Sequence, residues 1–185
     1  SMSRVTQDST LCGVTLDMDF AVPAAETLRL SSGLTVTAGN ALRLQGGASS
    51  ANVLILGDMT LDGPGSLIFE GTTDNNDVRP LFGGIDLVLG PNLIVGAGST
   101  RGGLIRNFAT VDNQTTIEVL NPGTGLTLAA TVFTNSNTVR TGPNGGNLSL
   151  SGLLNNGLVE TNTGTTTTLL GNWSNPTGTL QVNGG

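Results

Sequence analysis

The chain has 185 residues, with no His, no Lys, one Cys, 3% aromatic and 11% charged residues and a formal net charge of −6. Without His there is no Ser-His-Asp or Cys-His catalysis and no His-ligated zinc or haem. Without Lys there is no Walker A loop, Schiff base or PLP anchor, and an acidic balance with seven scattered Arg argues against a nucleic-acid partner.

Residues 1–26 read as an N-terminal strand and cap region. Val14, Leu16, Met18, Phe20 and Val22 alternate with Thr15, Asp17, Asp19 and Ala21, which predicts one half-buried strand from Val14 to Val22. Cys12 cannot form an internal disulfide, and beside an apolar strand it is expected as a buried thiol. Val22–Glu26 offers one short turn with Pro23 at a first helical position. Helix signals are otherwise missing, because Gly, Pro, Asn or Thr interrupts every 3.6-residue pattern. The longest apolar runs, such as Val53-Leu54-Ile55-Leu56, are too short to span a membrane as a helix. Ser1-Met2 has the form of an expression remnant before an internal start, consistent with removal of a native secretion signal.

From residue 27 to residue 185 the period is two. Short pairs recur at Leu28/Leu30, Leu34/Val36, Leu42/Leu44, Leu87/Leu89, Leu93/Val95, Ile117/Val119, Leu126/Leu128, Leu148/Leu150 and Leu180/Val182, each soon followed by Gly, Asn, Pro or Ser. Such strands are too short and too closely punctuated for a sandwich. Three small strands per circuit, each closed by a bend, predict an all-β fold: a parallel β-helix, or β-solenoid. Ile105-Arg106-Asn107, Phe133-Thr134-Asn135, Leu154-Asn155-Asn156 and Trp173-Ser174-Asn175 share the form large apolar, any, Asn, with a Val or Leu following four or five residues after the asparagine or a little sooner. The asparagine spacing predicts coils of roughly 20–28 residues, six or seven coils and a rod of about 30 Å. Asn107, Asn135, Asn156 and Asn175 are then expected to stack at one bend as a hydrogen-bonded ladder. In Asn144-Gly145, Asn156-Gly157 and Asn183-Gly184 the glycine is expected to supply positive φ. The chain stops within a repeat, which predicts excision from a longer protein or contact with another chain.

Residues 105–185 resemble the Asn/Gly/Thr-rich β-strand repeats of bacterial autotransporter passengers, filamentous-haemagglutinin-like adhesins and other large secreted surface proteins. The segments that carry this are Phe133–Val139, Leu154–Glu160 and Gly171–Leu180. The resemblance implies a right-handed β-helix used as a stalk or surface rod, outside the cell or on its surface. It transfers no catalytic residue.

Several side chains invite sharper readings. Thr72–Asp77 is the densest oxygen-ligand cluster, but it lacks calcium-loop spacing, so a solvated polar loop within 71–80 is expected. Asp58 and Asp62 could form a carboxylate pair of the glycosidase kind. Asp17 and Asp19 would share the outer face of one strand. Acids at strand ends are more often simply exposed. Trp173, aligned with Phe133 and Leu154, is expected in a core position. Thr35/Thr37 and Thr165–Thr168 do not repeat coil by coil as an ice-binding array would. Asn113-Gln114-Thr115, Asn147-Leu148-Ser149 and Asn172-Trp173-Ser174 match the N-glycosylation pattern, as chance allows in such a chain. The reading is therefore a non-enzymatic structural or adhesive module with no catalytic, cofactor-binding or metal residues. Its expected partner is an extracellular glycan or another copy or segment of the same protein. The competing reading is a module that binds or degrades polysaccharide through Asp58, Asp62, Asp74 and Asp77.

Overall fold

The computed structural model describes residues 2–96 and 98–184. Among these residues there is no helix, and every strand pairing is parallel. The chain winds as a β-solenoid of about eight coils. The first coil holds β1 (Met2–Arg4) and β2 (Ser9–Leu16), and the second β3 (Asp19–Pro23) and β4 (Thr27–Val36). The third holds β5 (Ala41–Gly46), β6 (Ala51–Ile55) and β7 (Met59–Asp62); the fourth β8 (Ser66–Gly71), β9 (Asn76–Pro80) and β10 (Asp86–Leu89). Next come β11 (Ile94–Val95) with β12 (Gly103–Asn113), then β13 (Thr116–Val119) with β14 (Gly125–Asn135). They are followed by β15 (Thr138–Thr141) with β16 (Asn147–Asn155), β17 (Leu158–Thr161) with β18 (Thr167–Leu170), and β19 (Thr179–Val182).

Two sheets run the length of the rod. The nine-stranded sheet takes β1, β3, β5, β8, β11, β13, β15, β17 and β19, and the ten-stranded sheet takes the rest. The larger sheet is creased lengthwise. In the third and fourth coils the crease separates β6 from β7 and β9 from β10. Elsewhere it is a bulge inside a long strand, between Cys12 and Val14, Arg106 and Phe108, and Ala129 and Phe133. Asn107 at φ 67° and Gly152 at φ 73° lie on this line. Each coil therefore has three straight runs around one core.

Alternation decides what is inside. Leu28, Val53, Val78, Ile105, Leu128 and Leu150 are successive register partners, one per coil, and none is more than 1% exposed. Phe69, Phe108 and Phe133 are the largest of the fully buried side chains. Full burial of each such side chain contributes about 1.5–3 kcal/mol. No coil could shield these residues alone, so stacking and core formation are one event.

The described chain makes about eight coils, and the stretch from residue 27 onward accounts for the six or seven expected of it. Other sequence expectations change. Residues 2–23 already supply strands to both sheets, β1 pairing with β3 and β2 with β4. The alternation from Val14 to Val22 is not one strand. It breaks between Leu16 and Asp19, where the chain crosses from one sheet to the other while an apolar residue still turns inward on each side. Of the three glycines expected at positive φ, only Gly184 adopts it, at 80°; at the first site Asn144 itself does, at 53°.

Candidate functional site

The acids with the strongest chemical claims sit on the larger sheet and its corners, and each is bonded to a neighbouring coil. Asp58 Oδ1 accepts the Asp86 N–H at 2.9 Å, and Asp62 Oδ1 the Asn92 N–H at 3.4 Å. Asp58 stands just before β7 and Asp62 ends it, and each carboxylate is turned to a backbone amide of the next coil rather than to the other. Asp74 Oδ1 accepts the Gly102 N–H at 2.7 Å. Asp17 and Asp19 do not share a strand face: Asp17 is exposed at the sheet crossing, while Asp19 Oδ1 accepts the Ala41 N–H at 2.9 Å.

Asp77 is the most enclosed of the acids, 5% exposed. Arg106 donates to it twice, from Nε at 3.1 Å and from Nη2 at 2.8 Å. Hydrogen bonding to Asp77, and then its charge, holds the Arg106 guanidinium above its usual value against the opposing effect of burial. Arg79 Nε lies 3.1 Å from the same carboxylate but is not aligned as a hydrogen-bond donor, so that contact is electrostatic.

The Thr72–Asp77 cluster divides: Thr72, Asp74 and Asn75 are exposed on a loop, whereas Asn76 and Asp77 are buried at the start of β9. Asn76 is fully buried: its Oδ1 accepts the Gly46 N–H at 2.8 Å, and its Nδ2 donates to Gly102 O at 2.8 Å. Thr73 Oγ1 and Asn75 Nδ2 both donate to Gly47 O, at 2.6 and 2.9 Å. The expected 71–80 contact loop is thus shortened, because residues from Asn76 onward form β9.

The most regular polar feature is inside. Asn113 Nδ2 donates to Asn135 Oδ1 at 2.8 Å, Asn135 Nδ2 to Asn155 Oδ1 at 2.7 Å, and Asn155 Nδ2 to Asn175 Oδ1 at 2.7 Å. The first three are fully buried. An asparagine ladder therefore exists, but of its four expected members only Asn135 and Asn175 belong to it. Asn107 is exposed on the crease and Asn156 is exposed beyond the rung. The true intervals are 22, 20 and 20 residues. A better signal was present. Asn113, Asn135 and Asn155 each stand four residues before a buried β-branched residue, Ile117, Val139 and Val159.

Comparison with protein-family models, curated proteins and solved structures gives no match.

Two other expectations are overturned. Cys12 is exposed, because strand alternation turns Leu11 to the core and Cys12, in register with Ser31, to the outer face. Trp173 is 49% exposed. The bridge between Leu154 and Ser174 places it in register with the buried Leu153, yet no coil covers it among the described residues. Asn113 is buried at its glycosylation-like triplet, whereas Asn147 and Asn172 are exposed. The main surface openings are shallow grooves. One of about 340 Å³ runs over the larger sheet between Asp74, Thr127, Asn147, Ser149 and Thr168.

Proposed function

We propose that the chain is a non-enzymatic structural and adhesive module, displayed outside the cell or on its surface as a length of rigid rod. The observation that carries this reading is the use of its acids. Asp58, Asp62, Asp74 and Asp77 direct oxygen atoms at backbone amides or arginines of adjacent coils, which is the use expected of groups that hold coils in place. The repeat resemblance of residues 105–185 supports the same reading and its extracellular setting. Rigidity comes from the stacked sheets, and recognition from the outer faces and corner loops.

A second reading, binding of an extracellular polysaccharide, is favoured by the groove lined by Thr127, Ser149 and Thr168, whose register places one hydroxyl per coil. Incubating the purified chain with a polysaccharide panel tests both readings, with reducing-end release and retention on insoluble glycan as readouts. The structural reading expects no turnover. Turnover that disappears in Asp58→Asn or Asp62→Asn overturns it, and retention without turnover favours the glycan-binding module. Antibody labelling of intact producing cells checks the location, and signal that appears only after lysis overturns surface display.

A further inference from the structure

We infer that the crease of the larger sheet carries a self-docking surface. A second copy of this chain lies alongside, parallel to the first, with Phe82 on Phe82 and Arg79 opposite Asp86. This names a partner for the adhesive reading, and it rests on that reading.

The surface begins with an insertion. Residues 56–58 turn the crease of the third coil, and a single bulge between Arg106 and Phe108 turns that of the fifth, but the fourth takes residues 81–85. The extra length lifts a crest out of the rod. Leu81 and Phe82 are 42% and 64% exposed, and a Cβ added at Gly83 or Gly84 would meet nothing within 4 Å. Phe20, Phe69, Phe108 and Phe133 all pack in or against the core, so Phe82 is the phenylalanine left outside it. The fourth coil is paired on both sides, β8 with β5 and β11 and β10 with β7 and β12, so this is the flank of the rod. An aliphatic and an aromatic side chain held in water at one crest are apolar surface for a partner to cover.

Charge is sorted across the crest. On one side Arg79 and Arg106 directly follow the register partners Val78 and Ile105, so two guanidinium groups in adjacent coils share the single carboxylate of Asp77. On the other side Asp58 and Asp86 directly precede the register partners Met59 and Leu87. Both acids are exposed, and neither belongs to an ion pair among the described residues. Each flank therefore sets like charges on neighbouring strands, which is unfavourable by itself. What would relieve one flank is the other flank.

Symmetry selects the arrangement. A twofold axis along the rod, between two parallel copies, lays each flank of the crest on the opposite flank of its mate. Arg79 then faces Asp86 of the same coil, twice over, with Asp58 one coil away, and the two Phe82 rings meet on the axis. A twofold axis across the rod would set arginine on arginine and acid on acid. The contact is a narrow ridge, which belongs to the small, transient class of interfaces. Many copies displayed on one surface would engage many such ridges together.

Sedimentation velocity of the full chain over a concentration series is expected to show reversible dimerisation. Phe82→Ser and Asp86→Arg, each checked for an unchanged circular-dichroism spectrum, are each expected to weaken it by about tenfold or more. Arg79→Glu is expected to do the same. An equimolar mixture of the Arg79→Glu and Asp86→Arg chains is expected to recover the dimer, because each supplies the charge the other lacks. Phe82→Ser and Asp86→Arg decide the matter if Arg79→Glu does not fold beside Asp77. A chain that stays monomeric throughout overturns the proposal. So does dimerisation undiminished in Phe82→Ser, which would place the contact elsewhere, the ends of the rod included. Dimerisation undiminished in Asp86→Arg, or no recovery in a mixture of folded variants, overturns the parallel pairing. The readout is mass rather than glycan turnover or cell labelling, so this inference and the proposed function can fail separately.

Discussion

Leu89 and Asn113 are register partners in adjacent coils, and both are completely buried. Between them one inward column changes character. Val14, Leu34, Leu61 and Leu89 make it aliphatic on one side; Asn113, Asn135 and Asn155 make it an amide stack on the other. The cause lies in the corner that follows. After Leu61 and Leu89 four residues lead to the next strand, but after Asn113, Asn135 and Asn155 only two do. So tight a corner strands backbone carbonyls, and the asparagine amide satisfies them: Thr115 O from Asn113 at 3.0 Å and Leu158 O from Asn135 at 3.1 Å.

Asn135→Leu should therefore be costly despite its near-equal volume. It strands Asn155 Oδ1 and Leu158 O and removes a partner of Asn113. With each buried unsatisfied group costing about 1–3 kcal/mol, the expected loss is about 3 kcal/mol. Urea unfolding followed by circular dichroism measures it. A loss below about 1 kcal/mol would mean that the ladder decorates the corner rather than holding it.

Gly152→Ala tests the crease. The residue sits at φ 73°, and a Cβ there would come within 2.7 Å of Thr131 O. Strain of the backbone and of the contact together should cost about 2 kcal/mol. Hydrogen exchange should show the weakening in β14 and β16 first, because the bulge between these strands absorbs it.

Asp77→Asn should cost less, about 1 kcal/mol, because the Arg79 and Arg106 side chains it pairs with remain 40% and 42% exposed. The cost should shrink as salt rises from 0.05 to about 0.5 M, where screening already weakens the pairs. Denaturant midpoints at the two salt concentrations give the comparison, and a salt-independent cost above about 3 kcal/mol would assign the carboxylate a packing role instead.

Cys12 gives a pH signature. Hydrogen bonds from Ser31 first and Ser32 next favour the thiolate, and slight desolvation opposes them, so the folded thiol titrates below its ordinary value. The sign follows from linkage. A lowered folded value adds stability above the unfolded pKa, and this is lost as pH falls through the folded one. Alkylation by iodoacetamide should consequently start at lower pH in the folded chain than in urea. Ser32→Ala, which removes the contact at 3.5 Å from Cys12 Sγ, should move the folded profile up. Identical profiles for the folded and the urea-treated chain would contradict the geometry.

The fold was legible where one residue type implies one direction. Pairs such as Leu126/Leu128 and Leu148/Leu150 point both side chains inward, and the structure stacks them in register. The ladder was half legible because an asparagine next to a large apolar residue can lie on either side of it in strand phase. Asn155 follows the inward phase of Leu153, whereas Asn156 falls outside it. Exposure at the outer coils was misread. Trp173 occupies a column position like those of interior coils, in register with the buried Leu153, whereas Cys12 alternates with the core-facing Leu11 and falls in the outward phase beside Ser31. The hydrogen bonds of the acids were not legible for a related reason. Their partners lie 28 to 30 residues away, as Asp86 does from Asp58 and Asn92 from Asp62, and no local pattern announces such a bond.

Every strand pairing in the described chain joins one winding to another, so the backbone hydrogen bonds lie along the rod. Pulling the two ends apart would load these bonds end-on and a few at a time. Extension should proceed as discrete releases of about 20–28 residues each, and a stretched molecule should recover from whichever windings remain intact.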